Sequence, residues 1–142
     1  MDRLEVVVAV EHFPIGACPA VDFIVNGVSL LDAIEAAVPG HGGGYGGLKP
    51  EQVLPWLREP LPHEQLFRGV FYGCSCGVAK CSQVTGVVRR TARTVGWGRF
   101  LTSADEPLHN VGPFLFESRY YAAALSAPRE VARPLHHQQR ES

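Results

Sequence analysis

The sequence predicts an α+β fold, in which a mainly antiparallel sheet packs against two or three helices. Short segments with β-branched or alternating patterns outnumber the helical ones. Consecutive strand segments follow one another through short connections, which favours antiparallel pairing over a parallel sheet. The length of 142 residues suits a single hydrophobic core. We therefore expect one domain over residues 1–132, followed by a frayed polar tail over residues 133–142.

Six segments carry the Val-rich, aromatic or alternating patterns that are typical of strands. They cover residues 3–11, 21–25, 66–76, 83–90, 94–101 and 114–116. Prolines, glycines and polar residues predict loops over residues 12–20 and 102–113. Asn26-Gly27 directly follows the second segment and is a strong signal for a tight turn.

Three helices are predicted, over residues 30–38, 50–58 and 117–125. Ser29 can cap the first helix, and Asp32 follows three residues later as in an approximate capping box. Pro50 suits the first turn of the second helix, whereas Pro55 threatens to shorten or kink it. After Pro128 we expect a weak helical turn.

A Gly-rich segment over residues 40–47 separates the first two helices, and six of its eight residues are glycine. It lacks the Gly-Lys-Ser/Thr ending of a phosphate-binding loop. It also follows a helix rather than a strand, which is the wrong context for a dinucleotide-binding loop. The segment therefore predicts a mobile surface loop that links the two halves of the sheet.

Composition and net charge narrow the class of protein. A net charge of −1 and a pI near 6.6 are unlike the strongly basic balance of most nucleic-acid binders. No apolar stretch approaches the ~20 residues that a membrane-spanning helix needs. The first residues lack the basic and apolar regions of a secretory signal. We expect a cytoplasmic protein that does not enter a membrane and whose thiols are reduced.

The charges are distributed unevenly along the chain. Residues 65–104 contain six basic and no acidic side chains, and the rest of the chain contains seven basic and fourteen acidic ones. Four arginines lie around the turn between two predicted strands, namely Arg89, Arg90, Arg93 and Arg99. With Trp97 nearby, this hairpin could bind single-stranded nucleic acid or an anionic protein surface. Alternatively, its charges pair with acidic groups of the same domain.

Three cysteines lie close together in the sequence, at Cys74, Cys76 and Cys81. If residues 77–80 form a hairpin loop, Cys76 and Cys81 face each other with Cβ atoms ~5 Å apart. Cys74 then projects from the same face of its strand as Cys76, because side chains alternate along a strand. The hairpin would gather three sulfur atoms in one patch, whereas Cys18 cannot be placed.

Three interpretations of this cysteine hairpin remain open. The thiols can be small core residues, because free cysteine is among the most buried residue types. They can bind zinc as Cys74, Cys76 and Cys81, with a fourth ligand from one of four residues. These are His41, His63, His109 and Cys18. Cys76 and Cys81 can instead form a redox pair, in which Lys80 favours the thiolate.

Several motifs together carry a resemblance to a known family. They are Gly73-Cys74-Ser75-Cys76-Gly77 with Cys81, Gly112-Pro113-Phe114-Leu115-Phe116-Glu117, and Tyr121-Ala122-Ala123-Ala124-Leu125. The chain resembles a family of small bacterial proteins, mostly actinobacterial, with a G-C-x-C-G…C core and a G-P-F-x-F…Y-x-x-x-L ending. In this chain, Lys80 replaces the glycine before the last cysteine, and Glu117 replaces an aspartate. The resemblance spans most of the chain and implies no particular activity.

No complete catalytic motif stands out, so the sequence leaves open whether the chain is an enzyme. We rank first a non-catalytic binding or regulatory module that acts on another protein through its sheet face or its basic hairpin. The alternative is a thiol-based zinc or redox protein that uses Cys74, Cys76 and Cys81.

Overall fold

The computed structural model describes residues 1–13, 16–37, 45–58, 65–74, 83–102 and 104–132. The strands are β1 (Leu4–Phe13), β2 (Gly16–Val25), β3 (Val28–Ser29), β4 (Tyr45–Gly47), β5 (Gln65–Cys74), β6 (Val84–Arg90), β7 (Thr94–Leu101), β8 (Phe114–Glu117) and β9 (Arg129–Ala132). The helices are α1 (Leu30–Ala37), α2 (Pro50–Arg58) and α3 (Ser118–Ser126). The tail predicted over residues 133–142 lies outside the described residues.

The strands divide into two sheets, one ordered β3-β2-β1-β9 and the other β4-β5-β6-β7-β8. Every pair of neighbouring strands is antiparallel except β1 and β9. The predicted fold class, α+β with mainly antiparallel pairing, is confirmed. The strands do not form a single sheet, because β1, β2, β3 and β9 form one sheet and β4 to β8 form the other.

The predicted loop over residues 12–20 is largely a strand. β1 and β2 form one long hairpin that pairs from its far end down to Phe13 and Gly16. Pro19 lies opposite Val10, and β3 pairs only with the last two residues of β2. Pro19 therefore lies in a part of β2 that β3 does not reach, where a strand tolerates a residue without an N–H.

The helical turn predicted after Pro128 is also wrong, because residues 129–132 form β9. This strand runs parallel to β1, with Val7 opposite Arg129. Arg129 also forms an ion pair with Glu5 of β1, at 3.3 Å between Nη2 and Oε2. Four residues carry too little pattern to reveal a pairing with a strand more than a hundred positions away.

The inner faces of the two sheets meet in a shared aromatic core. Phe23 of β2 lies edge-on to Phe71 of β5 and to Trp97 of β7, with ring centroids 5.8 and 5.2 Å apart. Phe71 and Trp97 are themselves 4.8 Å apart. Such edge-to-face pairs stabilise a core beyond the burial of their area.

The end of the Gly-rich segment is not a loop, because residues 45–47 form β4 and pair with β5. A Cβ atom at Gly47 would lie 2.5 Å from the carbonyl oxygen of Val21, so only glycine fits at this approach. The N–H of Val21 donates to the carbonyl oxygen of Leu48 at 2.8 Å. This contact joins β2 to the chain after β4. Residues 40–44, the rest of the predicted loop, lie outside the described residues.

A buried polar network joins the two sheets to the start of α1. The Tyr72 hydroxyl donates to Oδ1 of Asp22 at 2.7 Å, and Ser29 Oγ donates to Oδ2 at 2.6 Å. Ser29 Oγ also accepts from the N–H of Asp32 at 3.2 Å, which confirms the predicted cap. Burial, and then the neighbouring Asp22 carboxylate, raise the pKa of Tyr72 well above 10. Tyr72 therefore stays protonated and remains a donor.

The three helices form close to their predicted bounds. α2 continues through Pro55 without ending there. α3 starts at Ser118 and buries Tyr121 and Leu125. Arg58, at the end of α2, donates from Nε and Nη2 to the carbonyl oxygen of Leu125, at 3.1 and 2.9 Å, which satisfies a carbonyl at the end of α3. No helix among the described residues has the length and hydropathy to cross a membrane.

Candidate binding groove on the five-stranded sheet

The structure tests the cysteine hairpin only at its base. β5 and β6 pair antiparallel as predicted, and Tyr72 opposite Val84 is the pair nearest the predicted tip. Cys74 ends β5, where its backbone pairs with Tyr45 of β4. Cys76 and Cys81 lie outside the described residues. The convergence of the three sulfur atoms, and the redox pair, therefore stay predictions.

The proposed fourth zinc ligands are equally untested. His41 and His63 lie outside the described residues, whereas Cys18 lies in β2 opposite Glu11. His109 is exposed on the segment between β7 and β8. Where the chain is described, no three residues of the metal-binding types His, Cys, Asp and Glu form a group that could hold an ion. The zinc site also stays a prediction.

The outer face of the five-stranded sheet carries two rows of side chains across β5, β6, β7 and β8. One row contains Leu66, Arg89, Gly96 and Leu115, and the next contains Arg68, Val87 and Gly98. Pro113 lies beside Gly98, since a Cβ atom at that glycine would be 3.4 Å from the Cβ of Pro113. Both rows therefore lose their side chain where they cross β7.

The two glycines of β7 leave a trough along the outer face. Trp97 lies between them and points inward, where it is only 1% exposed. The space above the glycines is an open groove of about 830 Å³, which we call the outer groove. β5 and β6 form one side of this groove, and the chain at 113–115 forms the other.

The sides of the outer groove expose large apolar side chains. Leu66 is 70% exposed on one side and Leu115 is 45% exposed on the other. Phe67 is 43% exposed, but its register opposite Val88 places it in the row that faces inward. Leu66 and Leu115 thus expose apolar surface on opposite sides of one groove, a feature typical of an interaction site.

Three arginines also line the outer groove, namely Arg68, Arg89 and Arg99. Arg68 is held in place because its Nη1 donates to Thr85 Oγ1 at 3.0 Å and to the carbonyl oxygen of Arg99 at 3.1 Å. Arg89 and Arg99 are exposed, and neither forms an ion pair within the described part of the chain. The predicted pairing of these charges with the domain's own acidic groups is therefore not seen for Arg89 and Arg99.

The arginine strip predicted around the β6–β7 turn does not act as one surface. Arg90 lies on the inner side of β6, and its guanidinium carbon is 5.4 Å from the centre of the Tyr121 ring. Arg93 lies in the turn itself and does not line the outer groove. Only Arg89 and Arg99 of the predicted strip reach the groove. Because Trp97 is buried, it cannot serve as the stacking platform of a nucleic-acid site.

A β-bulge determines where Arg99 lies. The pairing of β6 with β7 shifts between Thr85 opposite Leu101 and Val87 opposite Gly98, so one extra residue fits into β7. Arg99 there has a φ of 51°, a left-handed conformation that costs a non-glycine residue of order 1–3 kcal/mol. Bulges of this kind redirect side chains, and here Phe100 points into the core while Arg99 points outward.

A second, smaller cavity of about 360 Å³ lies at the end of the outer groove, and we call it the end pocket. It shares Arg68, Arg99 and Pro113 with the groove and also contains His109. The two cavities are therefore continuous. Both are lined mainly by apolar side chains and backbone, with Arg68 and Arg99 common to the two.

Asp2 is the carboxylate at the edge of the outer groove, and other groups of the fold already bind it. Oδ1 accepts from Nδ2 of Asn26 at 2.9 Å, and Oδ2 accepts from the N–H of Leu115 at 2.7 Å. These bonds, first that from Asn26 and then that from Leu115, hold the pKa of Asp2 below its ordinary value of 3.8. Asp2 is therefore ionised and helps to hold the Asn26 turn against β8.

Comparisons of the chain with protein-family models, curated proteins and solved structures found no significant match. The predicted resemblance to an actinobacterial family thus stays a prediction. The sequence does contain a pattern that indicates the groove. Gly96-Trp97-Gly98 places two glycines on one face of a strand and an aromatic residue on the other. From the sequence we predicted a basic hairpin in this region and no groove, because we considered the charge of the arginines and not the alternation of the two glycines with Trp97.

Proposed function

We propose that this chain is a binding module that holds a segment of another protein in the outer groove. The observation that carries the proposal is the pair of glycines on the outer face of β7. A cleft with exposed apolar side chains on its two sides, Leu66 and Leu115, suits an extended polypeptide, which needs backbone room and pockets for alternate side chains.

The lining chemistry supports binding. Apolar side chains from both sides can cover a partner's apolar residues, which is the main favourable term in association. The arginines remain charged at all physiological pH values, so they bind and orient anions rather than exchange protons. Asp2 is already committed to Asn26 and Leu115.

Filling the trough tests the proposal directly. Gly96→Val adds a branched side chain above β7, where the nearest non-neighbouring atom to a Cβ is 3.7 Å away, so the fold can accept it. Peptides selected from a random phage-displayed library on the wild-type protein serve as probes. Their affinities for wild type and variant are then measured by fluorescence anisotropy.

We expect Gly96→Val to weaken the selected peptides at least about tenfold, because the added side chain occupies their place. Ala122→Val, on the exposed side of α3, is the matched control and should change their affinity less than about twofold. Thermal melting checks that both variants fold. Selection of no peptide, or equal affinity of the peptides for wild type and Gly96→Val, would overturn the proposal.

A further inference from the structure

The end pocket and the outer groove together define the chemistry of the bound segment more closely. They share Arg68 and Arg99, so a ligand lying over the trough at Gly96 and Gly98 meets two guanidinium groups at one end. An apolar surface that carries two neighbouring guanidinium groups is complementary to a ligand with both apolar and anionic groups.

The fold positions the guanidinium group of Arg68 and the backbone of Arg99. Arg68 uses only Nη1 for its bonds to Thr85 and Arg99, which leaves Nε and Nη2 without a partner among the described residues. These two nitrogens form the edge of the guanidinium fork that binds a carboxylate with two parallel hydrogen bonds. The bulge places Arg99 beside Arg68, since the Arg99 carbonyl oxygen accepts from Arg68.

We propose that the outer groove binds an extended acidic segment of a partner protein, an inference that rests on the proposed binding function. An apolar side chain of the segment lies in the trough over Gly96, between Leu66 and Leu115. An Asp or Glu carboxylate of the same segment enters the end pocket and binds Arg68 and Arg99. His109 offers a further polar contact there.

Charge distinguishes this occupant from others. A second copy of the chain docked face to face would bring three arginines against three, which like-charge repulsion disfavours. A nucleic acid would also complement the charge, but it needs aromatic rings to stack on. The aromatic residues Phe67, Trp97 and Phe114 share the row of the sheet that faces inward. An acidic segment with apolar residues matches both the charge and the apolar sides.

Three synthetic peptide pools test the inference. Each pool contains ten-residue labelled peptides with Leu, Ile, Val or Phe at alternate positions, and with Glu, Gln or Lys at the others. Binding to the wild-type protein is measured by anisotropy at low and high salt. We expect the Glu pool to bind at least about tenfold tighter than the Gln pool, and salt to weaken that preference.

Two charge-removing variants locate the carboxylate site. Arg99→Gln should weaken binding of the Glu pool about tenfold or more, because one charged partner of the carboxylate is lost. Arg93→Gln removes the same charge from the β6–β7 turn, outside the groove, and should change it less than about twofold.

The outcomes separate this inference from the proposed function. Equal affinity of the Gln and Glu pools, with loss of both in Gly96→Val, would overturn the acidic segment and leave the groove as a binding site. Equal losses in Arg99→Gln and Arg93→Gln would show only general attraction between charges, and would overturn the carboxylate site. Tighter binding of a labelled oligothymidylate than of the Glu pool would assign the groove to nucleic acid instead.

Discussion

The two faces of the five-stranded sheet use glycine for opposite purposes. On the inner face, a Cβ atom at Gly86 would lie 2.7 Å from the Phe100 ring and 2.9 Å from the Phe71 ring. On the outer face, the nearest atom to a Cβ at Gly96 would be the carbonyl oxygen of Phe114, 3.7 Å away. Packing requires glycine at the first position and not at the second. A glycine that packing does not require weakens a strand, and this favours a role for Gly96 in binding.

The largest change in the free energy of unfolding should come from replacing these two glycines with alanine, one at a time. Gly86→Ala forces a methyl group against two buried rings and should lower the free energy of unfolding by about 1–3 kcal/mol. Gly96→Ala should leave it unchanged or raise it by up to about 1 kcal/mol, because alanine loses less backbone entropy on folding. Urea unfolding followed by tryptophan fluorescence measures both. Equal destabilisation by the two variants would mean that the outer glycine is structural as well.

A smaller effect should separate two of the three arginines of the outer groove, Arg89 and Arg99. Arg99→Gly relieves a left-handed residue, so the free energy of unfolding should stay the same or rise by up to about 1 kcal/mol. Arg89→Gly, in the regular part of β6, should lower it by about 0.5–1 kcal/mol. Both variants should weaken binding of the acidic peptides. If Arg99→Gly is as destabilising as Arg89→Gly, the conformation of Arg99 holds no strain, and it gives no support to a functional role.

The smallest effect concerns the edge of the groove and depends on pH. Because the pKa of Asp2 is lowered in the folded protein, its ionised form stabilises the fold above the unfolded value of 3.8. That stability is lost as the pH falls through the folded pKa. Asp2→Asn should therefore be less stable than wild type near pH 6, by no more than about 1 kcal/mol for so exposed a group, and the difference should shrink in acid.

Acid unfolding curves of both proteins measure this difference. Asn26→Gly keeps a left-handed turn residue but removes the donor that lowers the pKa of Asp2 most, so the acid-dependent loss of stability should be smaller in that variant. A difference between wild type and Asp2→Asn that does not vary with pH would exclude this account of Asp2.

Local patterns in the sequence predicted much of the fold. Asn26-Gly27 forms the expected tight turn with both φ values positive, and Ser29 caps α1. The errors came from pairings between distant segments, which local patterns do not contain. The segment 129–132 forms β9 by pairing with the edge of β1. In the same way, residues 45–47 form β4 by pairing with the edge of β5. Likewise, nothing local reveals that the strands separate into two sheets.

The sequence predicted the positive charge of the candidate site but did not predict the shape of its groove. The absence of acidic residues over 65–104 indicated a cationic surface, and Arg89 and Arg99 do line the groove. The sequence could not show that Arg90 points inward, because the bulge and the register that set the faces depend on long-range pairing. Leu66 and Leu115 are almost fifty positions apart and become opposite sides of one groove only through β6 and β7.

The hydrogen bonds between Asp2 and β8 also bear on the tendency of the sheet to aggregate. The N–H of Asp2 donates to the carbonyl oxygen of Leu115 at 2.8 Å, and its carboxylate accepts from the Leu115 N–H. One residue thus satisfies both backbone groups of Leu115, which β8 would otherwise present at the border of its sheet. Unpaired borders are where foreign strands add and fibrils grow. An apolar cleft can therefore stay open to solvent in this protein, because the adjoining strand border is already closed.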